Sequence, residues 1–178
     1  MQTIVNNFLS GLILIFSRTL HEGDVIDVGN LQGVVRKISV RATTVETFDN
    51  AIIFVPNSEF VSNRLINWTR NGRIVRREVA IGVAYGTDPK LVERLLVEVA
   101  QSVPQIVRRP QPFVLFMDFA DSTLNFVLRY WSDIGTATDA ASAIRHRIVE
   151  VFAEHQVEIA FPQLDVHVIP QTPSLTRA

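Results

Sequence analysis

Three hydrophobic rhythms follow one another along the chain. From Ile4 to Phe16 nine of thirteen positions are apolar. Thr3, Asn6, Asn7, Ser10 and Ser17 recur at spacings of three, four and seven, which draws one narrow polar stripe along a helix. Gly11 lies beside that stripe, where its small size permits close approach of another backbone. The rest of the circumference is Ile, Leu, Val and Phe. A helix of this kind left free exposes a large apolar surface, the mark of a missing partner or a membrane. A buried N-terminal helix is the other reading these residues allow, since the run is too short to span a bilayer.

Past Arg18 the period shortens. His21-Glu22-Gly23-Asp24 is a turn, Val25 to Val28 a strand, and Gly29-Asn30 another turn. Leu31 to Val40 reads as a strand with a bend or bulge at Gly33. Arg41 to Phe48 carries the β-branched cluster Thr43, Thr44, Val45 and Thr47. Asp49-Asn50 signals a hairpin, Ile52 to Val55 follows, and Pro56-Asn57 ends that strand. Leu65 to Trp68 is a last short strand. Five short strands in about 50 residues predict a small barrel.

The third rhythm alternates strand and helix. Ile74 to Tyr85 is strand-like and ends at Gly86. Asp88-Pro89 starts a helix, an acid at the cap followed by proline at the first helical position. Leu91, Val92, Leu95, Leu96, Val99, Ala100 and Val103 then repeat at helical spacing until Pro104. Phe113 to Phe119 and Leu124 to Trp131 read as strands joined by the turn Ala120-Asp121-Ser122. A second helix starts near Thr138 or Asp139, with Ala141, Ile144, Ile148, Val151 and Phe152 on its apolar face. Leu164 to Ile169 would close the unit. The order β-α-β-β-α-β is the split, ferredoxin-like arrangement. The fold class is therefore α+β: a short N-terminal helix, a small β-barrel, then a ferredoxin-like αβ unit.

Composition narrows the chemistry. There is no cysteine, which excludes disulfides, thiolate zinc sites and a cysteine nucleophile. His21, His146, His155 and His167 give no pair at metal-ligand spacing on one helix face. Asp118 and Asp121 flank a hairpin turn, where acids serve the backbone more often than catalysis. Gly82 to Gly86 lacks the lysine and Ser/Thr of a phosphate loop. No nucleophile–base–acid order, metal set or cofactor motif is present, so an enzymatic role is not expected. Arginine outnumbers lysine 15 to 2. Arg70, Arg73, Arg76 and Arg77 cluster between the barrel and the αβ unit, either as a solvated face or as a rim that concentrates anions near an opening. A small barrel also suggests an Sm-like RNA-binding ring. The net charge of −1 and few aromatics on polar faces argue against it.

The stretches Asn7-Phe-Leu-Ser-Gly-Leu-Ile-Leu-Ile-Phe16, His21-Glu-Gly-Asp24, Arg41-Ala-Thr-Thr44, Ile53-Phe-Val-Pro-Asn57, Leu65-Ile-Asn-Trp68, Gly82-Val-Ala-Tyr85 and Phe161-Pro-Gln-Leu-Asp-Val-His167 resemble, in order and spacing, the C-terminal portion of the MscS family of bacterial mechanosensitive channels. The Arg-Ala-Thr-Thr and Asn-Trp versions are most similar to those of the larger, potassium-dependent and MscM-like members. The resemblance implies that residues 1–18 are the lower half of a pore-lining helix and 19–69 an Sm-like β domain. It makes 70–170 a ferredoxin-like αβ vestibule domain and 171–178 a flexible tail. It implies a homoheptamer in the bacterial inner membrane, this portion on the cytoplasmic side. Such a channel opens under membrane tension to release ions and small osmolytes in hypo-osmotic shock.

Upstream membrane helices would complete the protein, and this stretch would be a fragment that does not conduct alone. Asn6, Asn7, Ser10 and Gly11 would form the polar stripe of the pore helix, with Gly11 as the residue that lets it pack. Asn7 matches a helix position that faces the β domain, and Asn57 the asparagine it contacts, a contact that couples pore state to the cage. Ser58 stands where the best-known member has glycine, so its inactivation behaviour is not carried over. Pro170 and Pro173 interrupt the tail, where other members close the cage with a small barrel of strands.

Overall fold

The computed structural model describes residues 2–164, with side chains from residue 4 onward. Gln2–Ser17 forms α1, 16 residues or about 24 Å of helix. Among the described residues no helix is long and apolar enough to cross a membrane.

β1 (Val25–Val28), β2 (Leu31–Ile38), β3 (Ala42–Thr47), β4 (Ile52–Pro56) and β5 (Leu65–Asn67) make one antiparallel sheet in the order β4-β3-β2-β1-β5. Val28 faces Leu31 across the two-residue turn Gly29-Asn30, and Gly29 takes φ +61°, the left-handed geometry such hairpins require. Alternation turns Val35 and Val45 inward, where they meet Ile26, Val28, Val55 and Phe60. The expected bend at Gly33 is displaced: the register shifts between Val35 and Lys37, leaving Arg36 as the extra residue. Gly33 answers a different need, since a Cβ there would press on the Glu46 carbonyl oxygen and on Val45 Cγ1 at 2.8 Å. A short helix, α2 (Asn57–Ser62), stands between β4 and β5 where the sequence suggested only a strand end. The outer edges of β4 and β5 carry no partner strand among the described residues.

The second unit holds β6 (Ile74–Val83), α3 (Pro89–Ser102), β7 (Phe113–Phe119), β8 (Leu124–Asp133) and α4 (Ala137–Glu154). A 3-10 turn, Ile134–Thr136, leads into α4. Asp88 caps α3 by accepting the Lys90 N–H at 3.0 Å. The sheet order is β6-β8-β7. Residues 158–160 lie along the free edge of β6: Val83 pairs with Ile159, and Ala160 N donates to Gly82 O at 3.1 Å. That contact supplies the fourth position of the split arrangement. It comes earlier than the expected closing strand at Leu164–Ile169, of which Leu164 is irregular and 165–169 fall outside the described residues. Strict alternation along β8 puts Phe126, Leu128 and Tyr130 under α3 and α4, against Leu95, Leu96, Ile144 and Phe152. This core and that of the first unit share no residue.

Candidate functional site

α1 is bare on one side and docked on the other. Ile4, Phe8, Leu9, Ile13 and Phe16 are exposed, Phe16 at 81%. Ser10, Gly11 and Leu14 are buried, and Asn7 is half-buried. The Asn7, Ser10 and Gly11 part of the polar stripe is thus the docking face, and the apolar arc is left to something other than its own protomer. Leu14 enters the core of the β sheet beside Phe60. Asn6 is exposed and lies off the docking face.

Close contact is made at Gly11. A Cβ at this position would collide with the Val40 carbonyl oxygen and come within 2.6 Å of Asn57 Nδ2. Asn57 is fully buried and ties three segments together. Its Oδ1 accepts the Thr43 hydroxyl at 2.8 Å, its Nδ2 donates to Ser39 O at 2.8 Å, and its backbone N–H donates to Arg41 O at 3.2 Å. Asn7 Oδ1 accepts the Ser58 N–H at 3.0 Å, satisfying one of the free donors at the start of α2. The expected pairing of Asn7 with Asn57 is therefore shifted by one residue: the hydrogen bond ends on the Ser58 backbone, because the Asn57 amide is already engaged. Sequence alone missed α2 and the floor that the 39–41 segment offers to Gly11.

The arginines divide. Arg73 grips Asp133 through both carboxylate oxygens, at 2.9 and 3.0 Å. That bond raises the Arg73 pKa and, with the Gly135 N–H, holds the Asp133 carboxyl below its usual range. Arg70 Nη1 lies 3.2 Å from His21 Nδ1. Arg77 sits over the Trp68 ring at 5.8 Å. Arg76 is exposed on the opposite face of β6. Charge is therefore not pooled in one rim. Beside Arg70, the Asp24 carboxylate accepts Asn67 Nδ2 at 2.7 Å and the His21 N–H at 2.8 Å, knotting the start of β1 to the end of β5. No group of three or more metal-ligating side chains forms among the described residues. Tyr130 and Ser132 are buried without hydrogen-bond partners for their hydroxyls, and burial pushes the Tyr130 phenol up against the opposing pull of Arg145 and Arg77.

A helix with a bare apolar arc, a sheet with both edges open and a helix-backed second sheet together make a module that is completed by other surfaces. Two family models describe such a module. Residues 3–70 match "Mechanosensitive ion channel, beta-domain", and residues 78–159 match "Mechanosensitive ion channel MscS, C-terminal". The chain belongs to the MscS family of mechanosensitive channels. Over 94% of its length it is 43% identical to an MscS family protein of Haemophilus influenzae and 37% identical to the mechanosensitive channel MscK of Escherichia coli. It spans 15% of the length of each of these relatives. The closed-state MscS of Helicobacter pylori superposes with a TM-score of 0.86 at 27% identity, over 96% of this chain and 67% of that one. These matches give the RNA-ring reading no support.

Proposed function

We propose that this chain is the base of the pore helix and the vestibule of a tension-gated channel, on the cytoplasmic side of a bacterial inner membrane. The observation that carries the reading is α1, whose apolar arc faces away from its own protomer while Asn7 and Gly11 dock on α2 and the 39–41 segment. Residues 1–18 form the lower half of the pore-lining helix, 19–69 the β domain and 70–170 the αβ domain of the cage. Membrane tension favours the wider state because its in-plane area is larger, and the coupling is the difference in free energy between two states. Ions and small osmolytes pass through the open pore. The open edges of β4 and β5 suit assembly in a closed ring, which hides strand edges that would otherwise aggregate, and seven copies is the stoichiometry the family resemblance implies.

The contacts at Gly11, Asn7 and Asn57 link pore helix to cage, so displacement of α1 is felt at α2 and β3. Anion concentration at the cage wall falls to Arg70 and Arg76, since Asp133 neutralises Arg73 and Arg77 lines the cleft between the two units instead.

Two measurements test the reading. Pressure steps on membrane patches holding the full-length protein should open discrete currents, and light scattering of the detergent-solubilised protein should give about seven protomers. A full-length protein that reaches the membrane, yet is silent up to patch rupture, overturns the channel reading. A monomer overturns the ring. In the same patches, R70Q/R76Q should shift the reversal potential toward cations, and an unchanged value returns both arginines to a solvated face.

A further inference from the structure

Between the two folded units lies a cleft of about 360 Å³, within the roughly 300–1,000 Å³ of small-molecule sites. Gln32, Phe48 and Trp68 line it from the β sheet, and Arg77, Ile134 and Thr138 from the αβ unit. Two aromatic side chains there keep open surface: Phe48 is 66% exposed and Trp68 38%.

Among the described residues that line the cleft, Arg77 is the one charged side chain. Arg36, Arg73, Arg129 and Arg147 each hold a carboxylate. Arg77 has no carboxylate within 4.0 Å among the described residues and lies over an indole instead. Of the acids bordering the cleft, Asp133 is paired with Arg73, and Asp27 accepts a hydrogen bond from the neutral Gln32 amide at 2.8 Å. Asp139 begins the exposed side of α4. A guanidinium resting on an aromatic face is oriented before any ligand arrives, and its planar fork matches a carboxylate or phosphate.

We propose that this cleft binds a small flat anion, a ring that stacks on Trp68 and Phe48 and carries a carboxylate or phosphate received by Arg77. The contacts come from both units, so an occupied cleft favours one placement of the cage wall relative to the β domain. The proposal stands independently of the channel reading, because binding is measured without gating.

Calorimetric titration of the full-length protein in detergent tests it with three probes: benzoate, AMP and inorganic phosphate. A ring-bearing probe should bind with Kd below about 1 mM, and phosphate, which has no ring, at least about tenfold more weakly. Binding of benzoate alone assigns the carboxylate, and of AMP alone the phosphate. R77Q and W68L should each weaken binding about tenfold or more, the scale of one charge-assisted or stacking contact. W68F should recover most of the affinity, and R94Q, exposed on α3, should leave it unchanged. No heat from either ring-bearing probe at about 10 mM overturns the proposal. So does native affinity in R77Q or in W68L, with circular dichroism showing the native fold. Should W68L fail to fold, R77Q decides alone.

Discussion

Gly11→Val detaches α1 from the β sheet. A single added carbon already collides with the Val40 carbonyl and reaches 2.9 Å from Val40 C, and valine adds two more methyls. The floor cannot yield, because Ser39 N donates to Ala42 O at 3.1 Å, the Asn57 amide holds Ser39 O, and Asn57 N–H holds Arg41 O. The helix must lift instead, and lifting removes Leu14 from the core and breaks the Asn7–Ser58 bond. Burial of a leucine contributes about 1.5–3 kcal/mol and one net hydrogen bond about 1 kcal/mol, so a loss of about 2.5–4 kcal/mol is expected. The chain has no cysteine, which makes Leu14→Cys a unique probe. Its thiol should resist labelling when Gly11 is present and react freely beside Gly11→Val. Equal protection in both backgrounds contradicts the lifted helix.

The origin of this sensitivity was partly legible in the chain. The spacing of Asn7 and Ser10 marks one helix face, and Gly11 beside it marks a close approach. From the residues alone the sign of the face was not legible, since a polar stripe on an apolar helix ordinarily points to water; only the family resemblance turned Asn7 toward the β domain. The reason lies in α2, six residues that begin at Pro56-Asn57, a pair that also reads as a strand stop. Six residues make fewer than two turns, too few for a 3.6-residue period to emerge. The positions of the strands along the chain followed from turn chemistry and alternation, because those signals are local, whereas the pairing of β1 with β5 joins segments distant in sequence. The pairing of Arg73 with Asp133 spans 60 positions, and no local pattern reports it. Four arginines close in sequence therefore read as one patch, while the antiparallel pairing of β6 with the distant β8 and the packing on Trp68 send their side chains to different partners. Likewise the fourth edge position of the αβ sheet is taken by 158–160, a segment too short to show alternation.

Asn57→Asp should be more damaging at neutral pH than Asn57→Ala. The buried amide accepts from Thr43 and donates to Ser39 O. Alanine removes both bonds and orphans a carbonyl and a hydroxyl, a loss of about 2–3 kcal/mol. Aspartate keeps nearly the same shape and still accepts from Thr43, but its second oxygen faces the Ser39 carbonyl, acceptor against acceptor. Its charge would be fully buried with no cation beside it, a loss of about 3–5 kcal/mol. The two variants also differ in pH response. Burial and the facing carbonyl favour the protonated acid, so the folded-state pKa of the introduced carboxyl would lie above its unfolded value. The folded state then binds more protons than the unfolded state between those two values, and stability falls as pH rises through that window. Acidification should restore a donor to Ser39 O and recover part of the stability of Asn57→Asp. Asn57→Ala gains nothing by this route. Urea unfolding midpoints across pH 4–7 measure the difference. If Asn57→Asp matches the parent protein at pH 7, the donated bond to Ser39 does not constrain the 39–41 floor, and the tie between α1 and the cage must be sought in Thr43 and Ser58 instead.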